Sequence, residues 1–131
     1  MQTDVDAQTR DPEKTRLELL AAIGCLEPDS AQWSTYNVTH HRFILRLYRD
    51  GRSDDLRIAT FHVDYLAGPT NWSSPALQFT VSGHGDSRVE WLVRDESAGF
   101  AMRCGVLYWG WNDGRGWGRG WFAADADSNG K

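Results

Sequence analysis

Four polar side chains in the first alternating part of the chain could do chemistry together. From His40 onward, Phe43, Leu45 and Leu47 alternate with Arg42, Ile44, Arg46 and Tyr48, which is the period of a β-strand over about 40–49. A second run over about 55–66 carries Ala59, Phe61, Val63 and Tyr65 on one side. The segment Asp50-Gly51-Arg52-Ser53-Asp54 between them has turn composition, so the two runs predict a hairpin. Burying both apolar sets on one face pairs Phe43 with Phe61, because a slip of one residue turns one set towards water. That register sets Arg42 opposite His62 and His40 opposite Asp64, with Cβ atoms about 5 Å apart. An imidazole beside a carboxylate can act as a general base. Two histidines and an aspartate can also ligate a divalent metal.

The same four residues also make an ordinary solvated sheet face of cross-strand polar pairs. No serine or cysteine nucleophile stands at a recognisable spacing, and neither GxSxG nor HExxH occurs. A small metal-dependent or acid–base hydrolase built on His40, Arg42, His62 and Asp64 is therefore the alternative reading. The leading expectation is a protein without catalytic residues, metal or cofactor.

The second constellation is aromatic. Trp109, Trp111, Trp117 and Trp121 lie within thirteen residues, interleaved with Gly110, Gly114, Gly116, Gly118 and Gly120 and with Arg115 and Arg119. So many glycines imply tight turns or close backbone approach, and indoles suit surfaces that are half buried and half wet. One reading is a last hairpin turning at residues 112–116. A second is a recognition surface for a protein or small ligand formed by Trp109, Trp111, Arg115, Trp117, Arg119 and Trp121, since tryptophan and arginine dominate interface hot spots. A third is stacking on single-stranded nucleic acid. The net charge of −4 disfavours nucleic acid, whose binding rests on cation–phosphate contacts.

The tail Asp125-Ala126-Asp127-Ser128-Asn129-Gly130 matches only the first half of a calcium loop. The glutamate at loop position twelve is missing, so a polar terminus is expected there.

These groups need elements to hold them. Asp11-Pro12-Glu13 is a helix start, with Asp11 as N-cap and Pro12 at the first helical position. The expected helix runs over 12–24, buries Leu17, Leu20, Ala21 and Ile23, and stops at Gly24. Residues 26–39 have no clear period and read as an ordered connection pinned by Trp33 and Tyr36. Residues 67–75 read as a loop. Three more strands follow, marked by Leu77, Phe79 and Val81, then Val89, Trp91 and Val93, then Phe100, Met102, Cys104, Val106 and Tyr108. Short links between them predict an antiparallel meander, whose apolar face needs a cover.

The expected architecture is thus α+β: one N-terminal amphipathic helix packed on a curled antiparallel meander of five to six strands. A half-closed β-barrel with a helix cap is the alternative. Residues 1–10 are expected as a disordered leader, 11–123 as a single domain and 124–131 as a polar tail.

Composition agrees with a globular class. With 40% hydrophobic and 12% aromatic residues among 131, the chain can form one core. No apolar run approaches the roughly 20 residues of a membrane-spanning helix, and residues 1–11 lack a secretory pattern. Cys25 and Cys104 are expected as buried free thiols, which suits the cytoplasm. Twelve of the fourteen basic residues are arginine, the residue suited to bidentate recognition of carboxylate or phosphate. The leading function is a non-catalytic binding or protein-interaction module, either a monomer or a homodimer paired through an exposed edge strand.

Overall fold

The computed structural model describes residues 5–37, 41–83 and 88–112. Its elements are α1 (Val5–Arg10), α2 (Pro12–Leu26), β1 (Ser30–Asn37), β2 (Arg42–Tyr48), β3 (Asp55–Phe61), β4 (Tyr65–Ala67), β5 (Asn71–Ser73), β6 (Gln78–Ser82), β7 (Glu90–Asp95), β8 (Phe100–Cys104) and β9 (Val106–Asn112). The strands form two antiparallel sheets, ordered β5-β1-β2-β3-β9 and β4-β8-β7-β6. The α+β class holds, and the strands do not close into a barrel. One meander does not describe them, because the chain leaves the first sheet after β3, returns to it for β5, leaves again for β6, β7 and β8, and comes back with β9.

The first and last changes of sheet, from β3 to β4 and from β8 to β9, happen at one place. After Phe61 the backbone turns at His62, where φ is 57°. Opposite it, Gly105 separates β8 from β9. The Gly105 N–H donates to the Phe61 carbonyl at 3.2 Å, and the Asp64 N–H donates to the Arg103 carbonyl at 3.0 Å. A Cβ on Gly105 would stand 3.4 Å from the Cβ of His62, ordinary contact distance, so the two bends pack side by side without requiring glycine there. Strands that bend in this way form the corners between packed sheets.

The core lies between the two sheets. Phe43, Leu45, Leu47, Leu56 and Ile58 meet Phe79, Trp91, Val93, Phe100, Met102 and Cys104, with Leu19 and Leu26 of α2 closing one side. The expected inward alternation holds for Phe79, Trp91, Val93, Phe100, Met102 and Cys104: Phe79, Val93 and Met102 share one line of cross-strand pairs, and Trp91 pairs with Cys104. The expected last strand does not run on to Tyr108: it breaks at Gly105, so Leu107 takes the core position and Val106 and Tyr108 face the other way.

The first hairpin is displaced by one residue from expectation. Phe43 pairs with Thr60, Leu45 with Ile58 and Leu47 with Leu56. Thr60 takes the inward position because its hydroxyl donates to the Phe43 carbonyl at 2.8 Å, which satisfies a polar group with no exposure at all. Ala59 and Phe61 instead join Ile44, Val106 and Tyr108 in a small apolar cluster on the other face. The one-residue rule assumed a single buried face, and this sheet is buried on both faces along that line.

The helical region also departs from expectation. Val5–Arg10, expected within a disordered leader, forms α1. The Gln8 amide makes two bonds to the backbone of β9: Nε2 donates to the Trp109 carbonyl at 2.9 Å, and the Trp109 N–H donates to Oε1 at 2.8 Å. Asp11 caps α2 as expected, accepting the Lys14 N–H at 3.2 Å. Gly24 does not end the helix; the left-handed residue is Glu27, at φ 51°. The buried line is Pro12, Thr15, Leu19, Ala22 and Leu26, whereas Leu17 and Leu20, expected inside, are exposed. Ile23 is only half-buried and Ala21 is exposed.

Residues 30–37, expected as a connection, form β1, an inner strand of the first sheet between β5 and β2. β1 pairs with β2 across a bulge between Trp33 and Thr35, which breaks the period of two. Trp33 packs edge-on against Phe43 at 5.0 Å and Tyr36 at 6.1 Å.

Candidate functional site

The bends at His62 and Gly105 leave a cleft of about 460 Å³, lined by His62, Asp64, Arg88, Glu90, Arg103 and the Cys104–Gly105 backbone turn. Arg103 projects from the solvent face of β8, two positions from Ala101 and directly across from Tyr65 of β4 and Leu92 of β7. Its Nε donates to Asp64 Oδ1 at 2.8 Å, with Glu90 Oε2 at 3.5 Å. The Asp64 hydrogen bond, together with the charges of Asp64 and Glu90, raises the guanidinium pKa above its usual value. These groups are about half exposed, so each pair contributes little to stability.

The geometry brings together two of the four residues of the expected cluster. His62 and Asp64 line the cleft. Arg42 is 2% exposed within β2 and does not line it. Its predicted pairing with His62 is overturned: Arg42 lies opposite Asn37 of β1, and His62 stands beyond the end of β3 at the bend. His40 lies outside the described residues. His41 is placed instead with its Nδ1 3.3 Å from the Val63 carbonyl oxygen. Among the described residues no three His, Cys, Asp or Glu side chains gather to hold a metal ion.

Cys104 lies in the cleft wall but offers no nucleophile. Burial pushes its thiol up to about 12, and thiol reactivity follows the thiolate. Cys25, expected buried, is exposed, and neither cysteine is bridged. Chemically the cleft is an ion-paired recess with an imidazole at its rim, able to hold a small polar group.

The aromatic constellation begins on β9. Trp109 is half-buried and packs on the core, anchored by Gln8. Trp111 is 37% exposed, and the guanidinium of Arg52, from the turn between β2 and β3, lies 5.6 Å from its ring centroid. Arg115, Trp117, Arg119 and Trp121 lie outside the described residues, as does the 124–131 tail.

A third polar group escaped the sequence reading. Asp55, 4% exposed, accepts Arg46 Nε and Arg57 Nε, each at 2.8 Å. Arg46 also donates to Gln32 at 3.2 Å and stacks on Tyr48 at 4.2 Å. Arg103, Glu90 and Arg88 escaped it as well. Outward alternation of Arg103 along its strand was visible, but its position beside Asp64 depends on β4 pairing with β8, which no local pattern announces.

No protein-family model, curated protein or solved structure matches this chain.

Proposed function

We propose that this protein is a non-catalytic binding module that engages a protein or a small ligand through Trp111, Arg52 and the aromatic segment that follows β9. The observation that carries the reading is the pairing of a 37% exposed indole with a guanidinium 5.6 Å from its centre. An arginine over the ring restricts the indole, and Asp54 holds that guanidinium in turn, accepting its Nε at 2.8 Å and Nη2 at 2.7 Å. The aromatic face thus stands beside a fixed ion pair, and tryptophan and arginine are the residue types that anchor interfaces. Trp109, held behind by the core and by Gln8, gives the site a rigid base. The two unbridged thiols fit the reducing, cytoplasmic setting that belongs to the same proposal.

The test is a ligand screen read on the Trp111 indole signal in nitrogen–proton spectra, using peptide, glycan and metabolite sets. A hit that shifts this signal and loses at least tenfold in affinity in both Trp111→Ala and Arg52→Ala supports the reading. Ligands that bind equally well to both variants sink it.

A second reading, a small hydrolase, draws on His62 and Asp64 facing one cleft beside Arg103. Hydrolysis of any ester or phosphoester panel member that disappears in His62→Ala favours it. Activity unchanged by that substitution removes it.

A further inference from the structure

Helix α2 is apolar on two sides. One line, Pro12, Thr15, Leu19, Ala22 and Leu26, is buried under the sheets. The opposite line, Leu17, Leu20, Ala21 and Gly24, follows the i, i+3, i+4, i+7 spacing of a helix face and stands in water, with Leu17 54% and Leu20 36% exposed. A side chain added at Gly24 would meet nothing within 4 Å.

We propose that a second copy of α2, running antiparallel, covers this line, so that the protein forms a weak homodimer through its helix. This goes beyond the ligand-binding surface at Trp111 and uses none of its residues. The line is self-complementary: its large residues, Leu17 and Leu20, occupy the N-terminal half, and its small ones, Ala21 and Gly24, the C-terminal half. A twofold axis near Leu20 and Ala21 seats the leucines of each protomer on the small residues of the other, the reciprocal contact of an isologous interface, with close approach of the axes where side chains are small.

The helix dipoles favour the antiparallel orientation, since parallel copies set like ends together. The start of α2 carries Asp11 and Glu13 as well as Lys14 and Arg16, so its charges cancel, and Glu27 follows the helix end. With the axis near Leu20 and Ala21, Lys14 comes opposite Glu27 of the other copy and Arg16 lies two residues further along. Arg16, already held by Glu13 at 2.7 Å, and Glu27 form a polar rim on one flank of the apolar line. One helix pair buries less than the standard interface of about 1,600 Å², so the dimer is weak and concentration-dependent.

The test is sedimentation velocity of the full chain from about 5 to 500 µM, the range over which interfaces of this class dissociate. The expected result is a shift from monomer to dimer. Leu17→Glu with Leu20→Glu stays monomeric throughout. Gly24→Leu fills the seat of the partner's leucine, so it weakens dimerisation at least tenfold. The same substitution leaves the monomer folded with a raised Tm, because leucine is the better helix former. Ala21→Cys in a Cys25→Ser background forms a symmetric disulfide-linked dimer under mild oxidation. A chain that is monomeric at every concentration overturns the proposal, whether another partner or only water covers the line. So does a dimer that survives Gly24→Leu and fails to cross-link at position 21, because it uses another face such as β9.

Discussion

The carboxylate of Asp95 accepts the indole N–H of Trp72 at 2.8 Å, and this bond ties β5 of one sheet to β7 of the other. The same carboxylate accepts the Ala76 N–H at 2.8 Å and the Ser97 hydroxyl at 2.7 Å, and the side chain has no exposure to water.

Burial acts to raise the Asp95 pKa, but the bonds from Ala76, Ser97, Trp72 and the Ala98 backbone outweigh it and hold the pKa below its ordinary 3.8. A pKa lowered on folding stabilises the native state at pH above the unfolded value, and the contribution disappears as pH falls from about 3.8 through the folded value. Asp95→Asn is expected to cost about 2–3 kcal/mol at neutral pH, the scale of losing charge-assisted bonds to buried donors. It should also flatten the loss of stability below pH 4, a region bounded by that ordinary 3.8. Urea melts from pH 7 to pH 2 check both. An unchanged acid limb means that other carboxylates govern acid unfolding.

Gln8 occupies one rung of the β9 edge with its side-chain amide. Gln8→Ala is expected to lose about 1–2 kcal/mol, from two partly buried hydrogen bonds, and to speed aggregation, because uncovered strand edges pair with one another. Gln8→Glu keeps the acceptor for the Trp109 N–H but loses the donor, so it should fall between the two. Chemical denaturation and light scattering of the three proteins give the order.

Two glycines should differ sharply. At Gly68, φ is 131° and an added Cβ would lie 2.7 Å from the Cα of Phe100. Gly68→Ala therefore forces backbone apart and is expected to cost about 2–3 kcal/mol. At Gly105 the Cβ would reach only contact distance, 3.4 Å from His62, so Gly105→Ala should cost under about 1 kcal/mol. Equal losses would mean that the bend at His62 is as tightly packed as the β4–β5 link.

The two thiols give a simple probe. With Cys25 exposed and Cys104 buried and raised to about 12, one equivalent of a thiol reagent should react quickly at pH 8. The second should react only at the rate of unfolding, and Cys25→Ser should remove the fast phase. A second fast thiol in the native protein would show that the cleft wall opens.

Much of this was legible because local signals agreed with tertiary need. Asp11-Pro12 started a helix, and the later strands alternated with one buried face, so Trp91, Val93 and Met102 fell where their period put them. The failures share a cause. Where an element is apolar on two sides, period alone cannot say which side is inside. Leu17 and Leu20 offered α2 as good a stripe as Leu19, Ala22 and Leu26, and Phe61 looked a better core residue than Thr60 until the Phe43 carbonyl is considered. β1 was hidden by its bulge. At the cleft, His62 and Asp64 came from one short segment and were found, while Arg103 and Glu90 arrived through long-range pairing and were not.

The double corner at His62 and Gly105 has a consequence for how the chain reaches this state. The five-stranded sheet takes β9 last and is not complete until Asn112 has been synthesised, whereas the four-stranded one has all its strands at Cys104. During translation β2 and β3 emerge with one edge unpaired and a Phe43–Ile58 surface that nothing yet covers. The open edge of β3 therefore persists until the last strand arrives, and an uncovered strand edge is a template for pairing with other chains.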